Sequence, residues 1–205
     1  AAGLNGAPLD LPLPLAGMEA HRLVLVNGKV DMALSDLGGL EEGVTVQGLG
    51  AAISDGADLN ALLARDFSDA EQALSALNTA HLADGAYIHV GRGKQPAKPI
   101  HLVHLSLGDG TAVHPRCLIL LEEDAMANVI ESHASRGRTL SNLVTSVRLG
   151  RGARLGHYKL QSESPDAYHL AATDAVLETG AEYDGFVLHL GGRLARNEVN
   201  ITING

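Results

Sequence analysis

The second half of the chain carries a pattern of hydrophobic and polar positions that recurs about every 28 residues, an interval typical of stacked repeat proteins. In such proteins each coil stacks on the preceding coil, so residues one period apart become neighbours and share an environment. Positions in the same register keep similar residue types, which predicts vertical ladders of side chains. The predicted ladders are Leu121, Leu149 and Leu177; Ile119, Val147 and Ala175; Cys117, Thr145 and Thr173; and Ala127, Leu155 and Tyr183.

Within each repeat the hydrophobic residues follow the two-residue period of a β-strand, as at Leu143, Val147 and Leu149. The strands are separated by corners that contain Gly152 and Gly180. Glycine suits such corners because it adopts the positive φ that a sharp bend often needs. We therefore predict an all-β protein whose main part is a solenoid of the right-handed parallel β-helix type.

The pattern before residue 85 is less regular and predicts a small β-hairpin. His21–Val26 alternates weakly and is followed by Asn27 and Gly28, the strongest two-residue hairpin signal, and then by residues 29–34. Residues 44–49 form a possible further strand.

A capping box predicts a helix that begins at Ser68, whose hydroxyl caps exposed amides while Glu71 reaches back to the first turn. The helix is expected to end near Asn78 or His81, and residues 59–65 form a possible shorter helix. One apolar face is predicted at helical spacing. It consists of Ala70, Ala73, Leu74 and Leu77.

Regular strands resume at residues 86–90 and 100–107. We predict an N-terminal hairpin and helical region over residues 1–84 and a β-helix core over residues 85–205. The chain begins without Met and stops after a cleanly alternating strand. Because solenoids normally end in a capping element, we expect the β-helix to be truncated at its C-terminal end. The uncapped last strand, residues 199–203, also suggests a homodimer.

Composition narrows the class of protein. Hydrophobic residues make up 45% of the 205 residues and aromatic residues only 3%, which excludes disorder and favours flat stacked coils over a deep ligand pocket. The net charge of -9 argues against nucleic-acid or anionic-membrane partners. A single cysteine suits a reducing cytosol, and no apolar run approaches a membrane span. We therefore expect a cytoplasmic protein.

Ten histidines raise the possibility of a metal site. The repeat places His133, Gln161 and His189 in one ladder, with about 4.7 to 4.9 Å between coils. Two histidines separated by a glutamine cannot bind one ion without considerable rearrangement. We therefore favour a hydrogen-bonded polar ladder and predict no metal ligand.

Cys117 occupies the ladder of Thr145 and Thr173, on the same face as the apolar core. A small buried thiol is the favoured interpretation. Chemistry at this thiol stays open as the alternative, because Arg116 and His114 are near in sequence and a positive neighbour lowers a thiol pKa.

No catalytic motif is complete. The Gly91-Arg92-Gly93 segment lacks the third glycine and the following helix of a dinucleotide fingerprint. Glu122 and Glu123 sit at a predicted corner and point in different directions, so a paired-carboxylate hydrolase is poorly supported. We predict no catalytic residue, and cofactor-binding residues stay unknown.

Several sequence blocks, taken together and in order, resemble the SufB/SufD family, most closely its SufD members. They include HRLVLVNGKV at residues 21–30 and LGGRLARNE at residues 190–198. The resemblance extends from about residue 21 to residue 205. The remaining blocks are residues 33–36, 76–80, 85–90, 94–100 and 130–133.

This resemblance implies a non-catalytic scaffold subunit of the SUF iron-sulfur cluster assembly complex. It implies pairing with a SufB homologue through the β-helices and binding of the SufC ATPase through a helical C-terminal domain. The intact complex is expected to carry a nascent iron-sulfur cluster, with ATP on the partner ATPase. No cofactor is expected in this chain, because the family's cluster-binding segment lies beyond Gly205.

A second hypothesis is a carbohydrate lyase or hydrolase on a β-helix, since such folds present long polar grooves. That hypothesis predicts charged side chains aligned along one outer face, with aromatic platforms. The register instead aligns Glu131 with Lys159 and Val187, and aromatic residues are scarce.

Overall fold

Two β-sheets built mainly from parallel strands wind around a shared interior, which we call the lumen. The computed structural model describes residues 11–57, residue 59 and residues 73–205. About 53% of the described residues are in strands and 8% in helices, and the sheets form a β-solenoid of about 4 turns. The predicted β-helix architecture is therefore confirmed.

The described part of the chain contains thirteen strands and two helices in the following order. They are β1 (His21–Val26), β2 (Lys29–Val30), β3 (Val44–Gly48), α1 (Leu49–Ser54), α2 (Ala73–Ala80), β4 (Gly85–Val90), β5 (Ile100–Leu107), β6 (Ala112–Val113), β7 (Arg116–Leu121), β8 (Met126–Arg136), β9 (Leu140–Leu149), β10 (Arg154–Ser162), β11 (Tyr168–Glu178), β12 (Glu182–His189) and β13 (Leu194–Asn204).

Successive coils add one strand to each sheet. The first sheet has the order β12-β10-β8-β5-β1-β2, and the second has the order β13-β11-β9-β7-β4-β3, with β6 paired to β9. Pairing is parallel between successive coils and antiparallel for β1 with β2 and β3 with β4. The N-terminal strands thus extend both sheets of the solenoid.

The predicted ladders exist in the predicted register. Leu121 pairs with Leu149, and Leu149 with Leu177. The other three ladders pair in the same way. Apart from Thr145 and Thr173, the side chains of these ladders belong to one hydrophobic cluster or, for Tyr183, pack against it, and the cluster takes residues from both sheets. Because equivalent positions stack directly, aliphatic residues of similar size fill the lumen layer by layer.

The corners between strands use left-handed backbone, as the glycine pattern predicted. Gly152 and Gly180 have φ values of 68° and 70°. Asp124 occupies the equivalent corner one coil earlier with a φ of 56°. An aspartate tolerates this region better than most other residues do, since its short polar side chain bonds locally.

The N-terminal hairpin is also present, although its second strand is shorter than predicted. Leu25 pairs with Val30 and Val26 with Lys29. Asn27 and Gly28 both have positive φ, at 50° and 77°, as a two-residue hairpin turn requires. The possible strand at residues 44–49 ends one residue early, since Leu49 begins α1.

The predicted apolar face of α2 is wrong. Leu77 is 39% exposed, whereas Ser75 and Asn78 are buried. The Asn78 amide donates hydrogen bonds to the carbonyls of Pro115 and Asn142, both at 2.9 Å. The helix therefore docks through polar contacts with the backbone that leads into the sheet. The proposed start at Ser68, its Glu71 partner and the possible helix at 59–65, apart from Leu59, lie outside the described residues.

Arg116 completes this contact. Its guanidinium donates to the Asn78 side-chain oxygen at 3.2 Å and to the Thr79 hydroxyl at 2.8 Å, and its side chain is fully buried.

In the part of the chain that the structure describes, no helix is long and apolar enough to cross a membrane.

The central leucine ladder should dominate stability. Replacing Leu149 by Ala leaves a cavity inside a stack with little room to collapse, so we expect a loss of about 2 to 5 kcal/mol in the free energy of unfolding. Leu194→Ala is the matched control, because Leu194 is 47% exposed and should cost about 0.5 kcal/mol or less. Urea unfolding followed by circular dichroism measures both. Equal losses for the two variants would contradict the layered core.

Candidate functional site

The lumen is apolar at one end of each strand and polar at the other. In β7, for example, Ile119, Leu121 and Cys117 all belong to the hydrophobic cluster, and Cys117 also contacts His104 of the polar part at 3.9 Å. In β8, Val129 is followed two residues later by a buried Glu131 and four residues later by a buried His133. The two-residue period of a strand brings these residues to the same face, so the polar side chains point inward.

Six side chains meet in this polar part of the lumen, and all are buried. We call them the lumen cluster. They are His104, Cys117, Glu131, His133, His157 and Lys159.

Glu131 is the centre of the lumen cluster, and its Oε1 atom is well held. Oε1 accepts a hydrogen bond from the Thr145 hydroxyl at 3.1 Å, across the lumen from the second sheet. His157 Nε2 lies 2.7 Å from the same oxygen, and Lys159 Nζ lies 4.0 Å away. The lysine also donates to the Thr173 hydroxyl at 2.8 Å. These contacts connect the two sheets through one carboxylate.

The other carboxylate oxygen faces two imidazoles. Glu131 Oε2 lies 3.5 Å from His133 Nε2 and 3.9 Å from His104 Nε2. Cys117 Sγ is in turn 3.9 Å from His104 Nε2. Glu131 Oε2 makes no hydrogen bond with any described residue. One side of the carboxylate is therefore satisfied, and the other faces nitrogen and sulfur atoms at longer range.

Charge in the lumen cluster resides on Glu131 and Lys159. Burial opposes ionisation of Glu131, but the Lys159 ammonium and the contacts with His133 and His157 hold its pKa well below the usual value. Burial lowers the pKa of His104 to about 3 and also lowers the pKa of His133 and His157. The imidazoles are thus neutral at pH 7 and the glutamate is ionised.

This charge assignment orients His157. An ionised carboxylate only accepts hydrogen bonds, so His157 donates through Nε2 to Glu131 and accepts through Nδ1. The Tyr183 hydroxyl lies 2.8 Å from Nδ1, and burial raises the tyrosine pKa. The protonated phenol therefore donates to His157, and a chain of hydrogen bonds runs from Tyr183 to Glu131.

A second buried carboxylate lies beside the first cluster. Glu163 Oε1 accepts from the Ser141 hydroxyl at 2.8 Å, and Oε2 accepts from the Gln161 amide at 3.1 Å. His169 Nδ1 is 2.8 Å from Oε2. Burial opposes ionisation, but His169 and the other polar neighbours hold the pKa of Glu163 at about 2. Glu163 is therefore also ionised at neutral pH.

Histidine rings connect the two carboxylate groups. His104 and His133 stack with centroids 4.7 Å apart, and His133 meets the edge of His169 at 4.9 Å. The ring centroids of His169 and His189 are 6.1 Å apart. The polar half of the lumen thus contains a continuous row of imidazoles.

The predicted ladder of His133, Gln161 and His189 is confirmed in register. His104 extends it by one coil, because it pairs with His133. The sequence analysis missed His104 because its distance to His133 is one residue longer than the repeat. His101, three residues before His104 on the same strand, lies on the opposite face and bonds to Ser132 rather than to the lumen cluster.

Cys117 is buried in the core, as predicted. The alternative of a thiol activated by Arg116 and His114 is wrong, because burial and the Glu131 charge raise the pKa of Cys117 well above its usual value. Arg116 points away from the thiol and bonds to Asn78 and Thr79. At neutral pH the sulfur is a protonated thiol beside His104.

Glu131, Lys159 and Val187 pair in the predicted register. In the structure the charged pair Glu131 and Lys159 is buried in the lumen, so this ladder does not line an outer face. The parity of Glu131 with Val129 was the signal that could have found this. Glu122 and Glu123 form separate contacts at the corner, Glu122 with His89 and Glu123 with Arg92 and Arg151.

A cavity of about 280 Å³ adjoins the lumen cluster at the last coil. Its walls include His157, Lys159, Thr173 and Tyr183 from the polar network. Val199 and Ile201 of β13 supply apolar wall. His157 and Lys159 also belong to the lumen cluster, so the cavity borders the cluster directly.

Two protein-family models match successive parts of the sequence. The family model for the SufBD protein N-terminal region matches residues 14–102, and the model for the SufBD core domain of SUF system FeS cluster assembly matches residues 104–205. Together these two models span most of the chain, and their order follows the order of strands in the solenoid.

Two curated relatives agree with the family models. The iron-sulfur cluster assembly protein SufD of Escherichia coli is 32% identical over 196 residues, which cover 92% of this chain and 43% of SufD. An iron-sulfur cluster assembly SufBD family protein of Synechocystis is 28% identical over 198 residues, covering 90% of this chain and 44% of that protein. The chain spans less than half the length of these relatives.

Removing the Glu131 charge should destabilise the protein through Lys159. In Glu131→Gln the buried ammonium loses its counter-charge, so we expect a loss of about 3 to 5 kcal/mol in the free energy of unfolding. Adding Lys159→Met should restore part of this loss, because the remaining groups are neutral. Urea unfolding in the presence of a chelator, analysed as a double-mutant cycle, measures the coupling. Additive losses would show that the pair is not coupled.

His101 should contribute to acid sensitivity. Burial, and secondarily the Arg22 guanidinium, lower the pKa of His101 to about 4. The unfolded chain takes up this proton below about pH 6.5 and the folded chain only near pH 4, so stability falls with pH by up to about 1.4 kcal/mol per unit across this window. His101→Gln should flatten that slope in urea unfolding at several pH values. An unchanged slope would contradict the assignment.

Proposed function

The chain belongs to the SufBD family of iron-sulfur cluster assembly proteins, and we propose that it acts as a SufD-like scaffold subunit of the SUF machinery. The observation that carries this proposal is the ordered match of both family regions to one continuous pair of sheets. The match covers the N-terminal strands as well as the stacked coils.

We further propose that the protein pairs with a SufB-type subunit and works with a SufC-type ATPase in the cytoplasm. The iron-sulfur cluster is the cargo of the assembled complex, and ATP belongs to the partner ATPase. Exposed apolar side chains on β13 of the described structure support a partner role. The exposed residues on β13 include Val199, Ile201 and Ile203.

A non-catalytic role fits the chemistry of the lumen better than a carbohydrate-active enzyme does. Glu131 and Glu163, the two carboxylates at the centre of the lumen networks, are both buried inside the solenoid. A polysaccharide binds in an outer groove and needs accessible carboxylates that flank the scissile bond. The thiol of Cys117 is likewise buried. The structure therefore favours the scaffold over the lyase or hydrolase.

The pairing can be tested by co-purification. A tagged form of this chain, co-expressed with the SufB-type and SufC-type proteins of the same organism, should retain the SufB-type subunit. Ile203→Lys places a charge at a position that is 71% exposed on β13, and we expect it to lower retention at least about tenfold, as for a hot-spot residue.

Thr202→Lys is the matched control for this test. It adds the same charge one residue away, where the side chain points to the opposite face of the strand. Retention should then stay near that of the unmodified chain. Failure of the unmodified chain to retain the SufB-type subunit, or equal retention by the two variants, would refute pairing through the end of the solenoid.

A further inference from the structure

We propose that His104 Nε2, Cys117 Sγ and Glu131 Oε2 form a binding site for a divalent transition-metal ion of the Zn²⁺ type inside the lumen. This site belongs to the chain itself and does not depend on pairing with another subunit. It combines imidazole, thiolate and carboxylate, the three donor types that bind Zn²⁺ in proteins.

The donor atoms are already close to coordination geometry. All three lie within 4.8 Å of one another. The sulfur to nitrogen distance and the nitrogen to oxygen distance are both 3.9 Å. Tetrahedral bonds of ordinary length place donors roughly 3.3 to 3.6 Å apart. A central ion therefore requires the donors to approach one another by up to about 1.2 Å.

Unsatisfied buried atoms provide a second, independent indication of a ligand. Glu131 Oε2 is buried and makes no hydrogen bond to any described residue. Its neighbour His133 Nε2, at 3.5 Å, is also without a hydrogen bond in the described part of the chain. Buried polar atoms of this kind are costly and are normally satisfied. A cation bound at Oε2 would satisfy the carboxylate and bring His133 within reach as a fourth ligand.

The three ligands come from strands that the fold holds in fixed positions. His104 lies on β5, Glu131 on β8 and Cys117 on β7 of the opposite sheet. Parallel pairing fixes β5 against β8 over eight residue pairs. On the far side of the carboxylate, Thr145 and His157 hold Oε1 and leave Oε2 directed at the site. Such outer contacts orient a carboxylate ligand.

The protonation states suit an incoming cation. His104 and His133 are neutral, so their nitrogen lone pairs are available. Cys117 is a thiol in this structure, and binding proceeds by exchange of its proton for the metal. The S–H bond breaks, the proton leaves to solvent and the sulfur electron pair forms the metal–sulfur bond. No oxidation or reduction takes place.

Lys159 limits the affinity of the site. Its ammonium lies 4.0 Å from Glu131 Oε1 and competes with the metal for the same carboxylate. The lysine is held on the opposite side of the carboxylate by the Thr173 hydroxyl, so both cations have room. Removing the charge at Lys159 should therefore tighten metal binding at the site. A purely structural role of the cluster does not produce this effect.

The cavity at the last coil offers a route to the site. Its polar wall contains His157 and Lys159, both of which contact Glu131. A hydrated ion that enters this cavity is separated from Oε2 by the side chains of the lumen cluster.

Cobalt titration of the complete chain tests the proposal, since Co²⁺ substitutes for Zn²⁺ and reports a bound thiolate. After treatment with a chelator and its removal, we expect one Co²⁺ per chain and a thiolate-to-cobalt charge-transfer band, which Zn²⁺ then abolishes by displacement. Cys117→Ser should lose the band, and His104→Gln should weaken binding by about 10-fold or more. Lys159→Met should strengthen it.

His101→Gln is the matched control for His104→Gln, because both are buried histidines of β5 and only His104 faces the cluster. The control should keep the band and the affinity. Circular dichroism verifies that each variant is folded, and Zn²⁺ should raise the unfolding temperature of the unmodified chain but not that of Cys117→Ser. Absence of the band in the unmodified chain, or equal affinity in Cys117→Ser, would overturn the proposal.

Discussion

The stacking of coils in one fixed register is the constraint on which the rest of this structure depends. Each strand lies directly over its predecessor, so every inward position inherits the environment of the position one coil below. Leu121, Leu149 and Leu177 satisfy this constraint with three identical side chains. The same constraint forces polar residues at inward positions to find partners inside the lumen, because burial removes most of their contact with water.

Glu131 shows how the protein meets that second requirement. A buried carboxylate is tolerated only where opposite charge and hydrogen bonds compensate its desolvation. Lys159, one coil away, supplies the charge, while Thr145 from the opposite sheet and His157 supply hydrogen bonds. The network spans the lumen and therefore ties the two sheets together. In this network the Oε2 atom of Glu131 makes no hydrogen bond with any described residue.

These features fit a scaffold in an iron-sulfur cluster assembly system. In the described structure the residues of the lumen cluster are held inside the solenoid. The protonated thiol of Cys117 and the neutral imidazoles of His104 and His133 are shielded from solvent. The cavity at the last coil borders this polar part of the lumen, with His157 and Lys159 in its wall.

The sequence determined the β-helix, its register and the burial of Cys117, because a constant repeat makes vertical neighbours a matter of counting along the chain. Counting failed where the repeat lengthened by one residue, so the position of His104 opposite His133 was missed. Counting along the repeat also did not apply to α2, which docks through Asn78 and Arg116 instead of its leucines. Only the tertiary structure decided which polar residues meet across the lumen. The contacts of Glu131 with Thr145 and of Cys117 with His104 join different sheets, and the distance between sheets is set by the packing of all layers together, which no local pattern encodes.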